Sequence, residues 1–139
     1  IVFGDWSSDV CSSDLKHTFG SIHDVDMNEV MSGYYVGIED DLKDVDYGSM
    51  VATAEDVGIF LRALNEGSLF KEGEQEIYSS VYEYDHTGWV PGYQSIARYH
   101  KDIDTVVVQF NNSNGRYNWN IATIVYSRIV KILRRKQSS

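Results

Sequence analysis

Two short segments hold residue types suited to acyl transfer. The first is Ser13-Asp14-Leu15-Lys16, the Ser-x-x-Lys spacing of a lysine-activated serine nucleophile. The second is His86-Thr87-Gly88-Trp89-Val90-Pro91-Gly92-Tyr93. Acyl transfer needs backbone donors held rigidly toward the oxygen that becomes negative. A strand at the edge of a cleft offers such unpaired N–H groups. Gly88 has no side chain, so a substrate and a nucleophile can come close to the strand there. Neighbours on a strand alternate faces, which puts His86 and Gly88 on the cleft side and turns Thr87 away. An imidazole titrates near ~6.5 when unperturbed, so His86 is a conditional cation for a substrate carboxylate.

The serine of the first segment falls in a suspect stretch. Residues Asp5 to Leu15 read Asp-Trp-Ser-Ser-Asp-Val-Cys-Ser-Ser-Asp-Leu, which resembles one reading frame of a common sequencing-adapter DNA. The string is crowded with Ser and Asp and follows neither a helical nor a strand period. Residues 1–15 are therefore expected to be non-native, with the native frame resuming at Leu15 or Lys16. Ser13, Cys11 and Trp6 then carry no role, and the Ser-x-x-Lys match is a false positive. Setting aside Asp5, Asp9 and Asp14 leaves 18 acids against 12 bases, so the formal charge of −9 moves to about −6.

The elements that must position the second segment can be read from periodicity. Residues 16–139 suffice for one domain. From Lys16 to Asp46 the chain is polar and acidic, a surface excursion with a helical turn near Val25 to Met31. Thr53 caps a helix whose stripe is Val57, Phe60, Leu61 and Leu64, and Gly67 closes it. A weaker helix spans Glu72 to Ser80. Strands follow at Asp85–Val90, Gln94–His100 and Asp104–Asn111, with turns at Pro91-Gly92 and Lys101-Asp102-Ile103. Val106, Val108 and Phe110 share one face and Val107 the other, so the last strand is covered on both sides. Asn111 to Gly115 reads as a turn. Asn118 or Asn120 caps a final helix with the apolar stripe Ile121, Ile124, Val125, Ile129, Ile132 and Leu133. The fold class expected is α+β, an antiparallel sheet of about three strands with the C-terminal helix packed on one face.

Composition narrows the function. An acidic chain has no broad basic face for nucleic acid. Lys131, Arg134, Arg135 and Lys136 complement the C-terminal end of the last helix. Nothing resembles a membrane span. Asp24-Val-Asp26-Met-Asn28 opens like a calcium loop, but Glu29 and Tyr35 stand where Gly and Glu are required. His17, His23 and His100 show no ligand spacing, so no metal is expected.

Two blocks, in this order, carry a resemblance. Tyr47-Gly48-Ser49-Met50-Val51-Ala52-Thr53-Ala54-Glu55-Asp56-Val57 resembles the small-residue turn and "Thr-Ala-x-Asp-Leu" helix of the β-lactamase-related serine hydrolases. His86-Thr87-Gly88 resembles that family's His-x-Gly box, which replaces the Lys-Thr-Gly of penicillin-binding proteins and class C β-lactamases. A Val-rich strand ending in Asn111 and a terminal helix follow in the family's order, so the resemblance covers about Lys16 to Leu133. It implies an incomplete fragment of the β-lactamase/transpeptidase-like fold, with the family's N-terminal part and its Ser-x-x-Lys and Tyr-x-Asn motifs upstream. It further implies an acyl-enzyme hydrolase of D-alanyl peptides, small esters or β-lactams, needing no cofactor and periplasmic or secreted. The Trp89 amide would be one oxyanion donor, and His86, Thr87, Gly88 and Tyr93 would border the substrate. Histidine in place of lysine favours an esterase or peptidase over an efficient β-lactamase. The fragment alone, without nucleophile or base, is expected to be inactive. The rival expectation is a noncatalytic carbohydrate-binding domain presenting Trp89, Tyr93, Tyr99 and Tyr117 on one exposed patch.

Overall fold

The computed structural model describes residues 15–80, 85–115 and 118–138. Three two-residue strands come first: β1 (Thr18–Phe19), β2 (Tyr34–Tyr35) and β3 (Val51–Ala52). Helices α1 (Ala54–Glu66) and α2 (Glu74–Ser79) follow, then β4 (Asp85–Val90), β5 (Tyr93–His100), β6 (Thr105–Asn111) and β7 (Ser113–Asn114). The last element is α3 (Asn118–Gln137). Strands β4, β5 and β6 form an antiparallel sheet in that order, with α3 packed on one face and α1 on the other. This is the α+β architecture that the periodicity predicts.

The local causes of α1 match its sequence. Thr53 Oγ1 accepts the Asp56 amide at 3.2 Å, and Gly67 closes the helix at φ 79°, a conformation that favours glycine. Leu61 and Leu64 pack with Ala97, flanked by Val57, Phe60, Val106 and Val108. On the opposite face Ile96 and Val107 meet Tyr126, Val130 and Leu133 of α3. Strand β6 is thus apolar on both sides, as its alternation implies.

Several boundaries and faces differ from expectation. The sheet-facing stripe of α3 is Ala122, Tyr126 and Val130, while Ile121, Ile124, Val125, Ile129 and Ile132 are exposed. Apolar residues cover more of the helix than one sheet can bury, so periodicity alone does not choose the buried side. The helix already runs from Asn118, which places Asn120 inside its first turn instead of before it. In the excursion the helical turn is a 3-10 helix at Ile22–Asp24, started by Ser21 Oγ accepting the His23 amide, and of residues 25–31 only 27–29 form a turn. Helix α2 starts two residues late because Gly73 precedes it at φ 83°. Within the 111–115 turn, Ser113–Asn114 pairs in parallel with β2.

The excursion is pinned at two points. Buried Asp56 accepts the His17 amide at 2.7 Å and the Thr18 hydroxyl at 2.8 Å, which fixes β1 against β3 at the start of α1. The β2–β7 bridge holds the far end against the sheet. Cys11, Trp6, Ser13 and Tyr117 lie outside the described residues.

Candidate active-site edge

Strand β4 carries the His86-Thr87-Gly88-Trp89 segment along the outer edge of the three-stranded sheet. Its register sets the faces. His86 stands opposite Ala97, Gly88 opposite Ser95 and Val90 opposite Tyr93, all on the α1 side. Thr87 is opposite Ile96 and Trp89 opposite Gln94, on the α3 side. His86 and Gly88 therefore share a face and Thr87 does not.

The amides follow from the same register. Val90 and Tyr93 close a two-residue hairpin, and such a closing pair exchanges ladder hydrogen bonds. Bonded and unbonded pairs then alternate, so Gly88–Ser95 and His86–Ala97 are the next bonded pairs. The N–H groups of Thr87 and Trp89 consequently point away from β5. No described strand pairs with that edge.

A cavity of about 610 Å³ lies on the α1 face beside this edge. Its walls are Met50 and Val51 from the excursion, Phe60 from α1, and Gly88, Val90 and Phe110 from the sheet. Tyr93 borders it as well, with its hydroxyl donating to Met31 O at 2.7 Å and its ring against Gly33. Burial, with Asp41 nearby, pushes the Tyr93 phenol up to about 12. His86 is exposed at the rim and does not line the cavity.

The Pro91-Gly92 turn is clamped by residues that sequence patterns did not single out. Tyr47 donates its hydroxyl to Pro91 O at 2.8 Å. Asn114, fully buried, accepts the Gly92 amide at 2.8 Å and donates to Val90 O and Tyr93 O at 2.6 and 2.7 Å. Gly92 sits at φ 88°, and a side chain there would meet the Gly33 backbone at 3.2 Å. Only the Asn-Asn-Ser-Asn-Gly composition of 111–115 hinted at Asn114, and it suggested nothing beyond a turn. Among the described residues no group of three His, Cys, Asp or Glu side chains could hold a metal ion, and no helix is long and apolar enough to cross a membrane.

Among the described residues, Trp89, Tyr93 and Tyr99 do not assemble into the one patch expected for glycan binding. Trp89, 51% exposed, meets Tyr35 edge-on with ring centres 6.1 Å apart, on the α3 side of the sheet. Tyr93 and Tyr99 belong to the other face, and Tyr99 is engaged with Asp104 and the Arg62 guanidinium.

No protein-family model matches the chain, and no curated protein matches it. Among solved structures, the D-amino acid amidase from Ochrobactrum anthropi SV3, crystallised with D-phenylalanine, superposes with a TM-score of 0.66 at 17% identity. The match covers 86% of this chain and 50% of the amidase. The chain shares that fold and spans about half the length of the solved protein.

Proposed function

We propose that this chain is the C-terminal part of a serine hydrolase that works through an acyl-enzyme. Strand β4 forms one wall of the cleft, the Trp89 amide is one oxyanion donor and His86 faces the substrate. The observation that carries this is the β4 edge, unpaired among the described residues, beside an apolar cavity of about 610 Å³. A segment from outside residues 16–139 fills part of that cavity and brings a serine hydroxyl to the edge, with a lysine and a tyrosine to take its proton.

The chemistry follows from that placement. The serine oxygen attacks the substrate carbonyl, and the negative charge that forms on the carbonyl oxygen is met by the Trp89 N–H and the nucleophile's own N–H. The leaving amine or alcohol departs protonated, and water then releases the acid from the ester. An imidazole at position 86 is a weaker anchor for a carboxylate than the ammonium of a lysine would be. That suits D-alanyl peptides, small esters and amides of D-amino acids better than β-lactams. The shared fold with an amidase supports a hydrolase.

The test is the uninterrupted parent gene and its product. Upstream Ser-x-x-Lys and Tyr-x-Asn motifs are expected, together with fluorophosphonate labelling and turnover of a chromogenic D-amino acid ester or amide. The 139-residue chain alone is expected to turn over neither. Serine-reagent-sensitive hydrolysis by this chain, or a parent without those motifs, would end the proposal.

A further inference from the structure

Asn114 and Gly115 form the sequence's single Asn-Gly pair, and a different contact fixes the type of each. Asn114 is required by the Gly92 clamp, where Oδ1 accepts the Gly92 amide and Nδ2 donates to Val90 O and Tyr93 O. Gly115 is required by β2, because a Cβ there would stand 2.8 Å from Val36 Cβ. Asparagine followed by glycine is the pairing most prone to lose its side-chain amide, since a bare neighbour lets its backbone nitrogen approach the carboxamide. We propose that Asn114-Gly115 is a self-modification site, shielded while β7 is docked and converted irreversibly to aspartate or isoaspartate once β7 opens. This chemistry is independent of any hydrolase activity.

The reaction needs only water. The Gly115 backbone nitrogen gives its proton to solvent and attacks Asn114 Cγ. A C–N bond forms, the Cγ–Nδ2 bond breaks, and Nδ2 leaves as ammonia with a proton taken from solvent. Water then opens the cyclic imide at either carbonyl. One opening gives aspartate, and the other gives isoaspartate, whose main chain carries an added methylene. Nothing is oxidised or reduced.

The folded chain opposes each part of this. Asn114 is fully enclosed and Gly115 is buried, so solvent does not reach them to take or return a proton. The carboxamide is held at both ends by the turn, and its leaving nitrogen donates twice. Asn114 O accepts the Val36 amide at 3.0 Å, which keeps β7 extended against β2. Ring closure requires rotation about that backbone and loss of all these bonds. The shield is nevertheless local. Strand β7 is two residues long, and its bridge rests on the Tyr34 and Val36 amides. Short paired segments of this kind open without global unfolding.

The product has no way back. A carboxylate has no N–H for Val90 O or Tyr93 O, and the added methylene of isoaspartate breaks the register of β7 with β2. The turn that ends β4 then loses its anchor. Chemical conversion of the open form sets a limit on the chain's working lifetime that equilibrium stability alone does not.

Peptide mapping by mass spectrometry, during incubation of the 139-residue chain at mildly alkaline pH, follows the conversion. Asn114 should convert roughly tenfold or more slowly in buffer than in concentrated urea. Tyr34→Pro removes one bridge amide and leaves Asn114-Gly115 intact. It should bring the rate toward the urea value with an unchanged circular dichroism spectrum. In the unsubstituted chain the rate should also climb at urea concentrations below the unfolding transition, and the isolated product should have a lower urea midpoint. Equal rates in buffer and urea, or an unfolded chain that keeps its amide, would overturn the proposal. So would a rate that climbs only with global unfolding, a folded Tyr34→Pro chain that converts no faster, or a product with an unchanged midpoint.

Discussion

Asn114 holds Gly92 from across the sheet: its Oδ1 accepts the Gly92 amide at 2.8 Å, with the carboxamide fully enclosed. Its Nδ2 also ties together the two carbonyls that flank the turn, Val90 O and Tyr93 O. Asn114→Ala leaves the Gly92 N–H without a partner inside the fold and removes a second bond from Val90 O and Tyr93 O, at a cost of about 1–3 kcal/mol. The urea midpoint should fall with little change in slope. Asn114→Asp should be at least as damaging, since a carboxylate has no N–H for the two carbonyls.

Gly33 and Tyr93 are matched by contact. A Cβ on residue 33 would stand 2.5 Å from the Tyr93 ring, so Gly33→Ala must displace that ring, at about 1–3 kcal/mol. Ultraviolet titration provides the readout. The half-buried phenol, pushed up to about 12, should return toward 10 in the variant, with Tyr93→Phe identifying the signal.

His100 and Tyr126 each make stability depend on pH, one on the acid side and one on the alkaline side. His100 Nε2 and the Tyr126 hydroxyl lie 2.8 Å apart. Burial, with Arg134 nearby, lowers the His100 titration below its usual value, and burial pushes Tyr126 up to about 12. Below pH ~6.5 the unfolded chain takes up the histidine proton more readily than the folded one, so stability falls as pH falls. Between pH ~10 and about 12 the unfolded chain loses the phenol proton first, so stability falls as pH rises, by up to ~1.4 kcal/mol per unit. Thermal melts should show a plateau between these limits. His100→Gln should lessen the loss just below pH ~6.5, and Tyr126→Phe should lessen the alkaline loss while leaving the part due to Tyr93.

Trp89 separates a backbone role from a side-chain role. Its N–H points away from β5, so Trp89→Pro removes that donor at an edge where no ladder bond is lost. Under the function proposed above, kcat of the parent should fall roughly 10²–10³-fold. Trp89→Phe keeps the amide and should keep kcat, and equal losses in both variants would exclude the amide as the oxyanion donor.

Thr53→Ala should cost about 1 kcal/mol, because the Asp56 amide loses its cap. A fall in melting temperature without a change in fold would confirm the cap's contribution.

Local rules carried the sequence a long way. Thr53 and Gly67 bound α1, Pro91-Gly92 closes the β4–β5 hairpin, and Val106 to Phe110 alternate as their types require. The faces of β4 followed from the two-residue period alone. What stayed hidden depends on distant chain. Ile121 and Ala122 are neighbours in sequence, and only the position of the sheet decides that the smaller one is buried. Asn114 looks like any loop asparagine until the Gly92 turn arrives 22 positions away. The cavity wall formed by Met50 and Val51 appears only once β1 and β3 have paired.

The parallel bridge between Tyr34–Tyr35 and Ser113–Asn114 also has a kinetic consequence. It closes a ring from residue 34 to residue 113 for the sake of two residues a side, whereas the β4–β5 hairpin closes across two. Loop-closure entropy disfavours the long ring until the sheet is in place, so the bridge belongs to the last stage of refolding. It should also be the first contact to open in the native state, with the Tyr34 and Val36 amides exchanging ahead of those in β5.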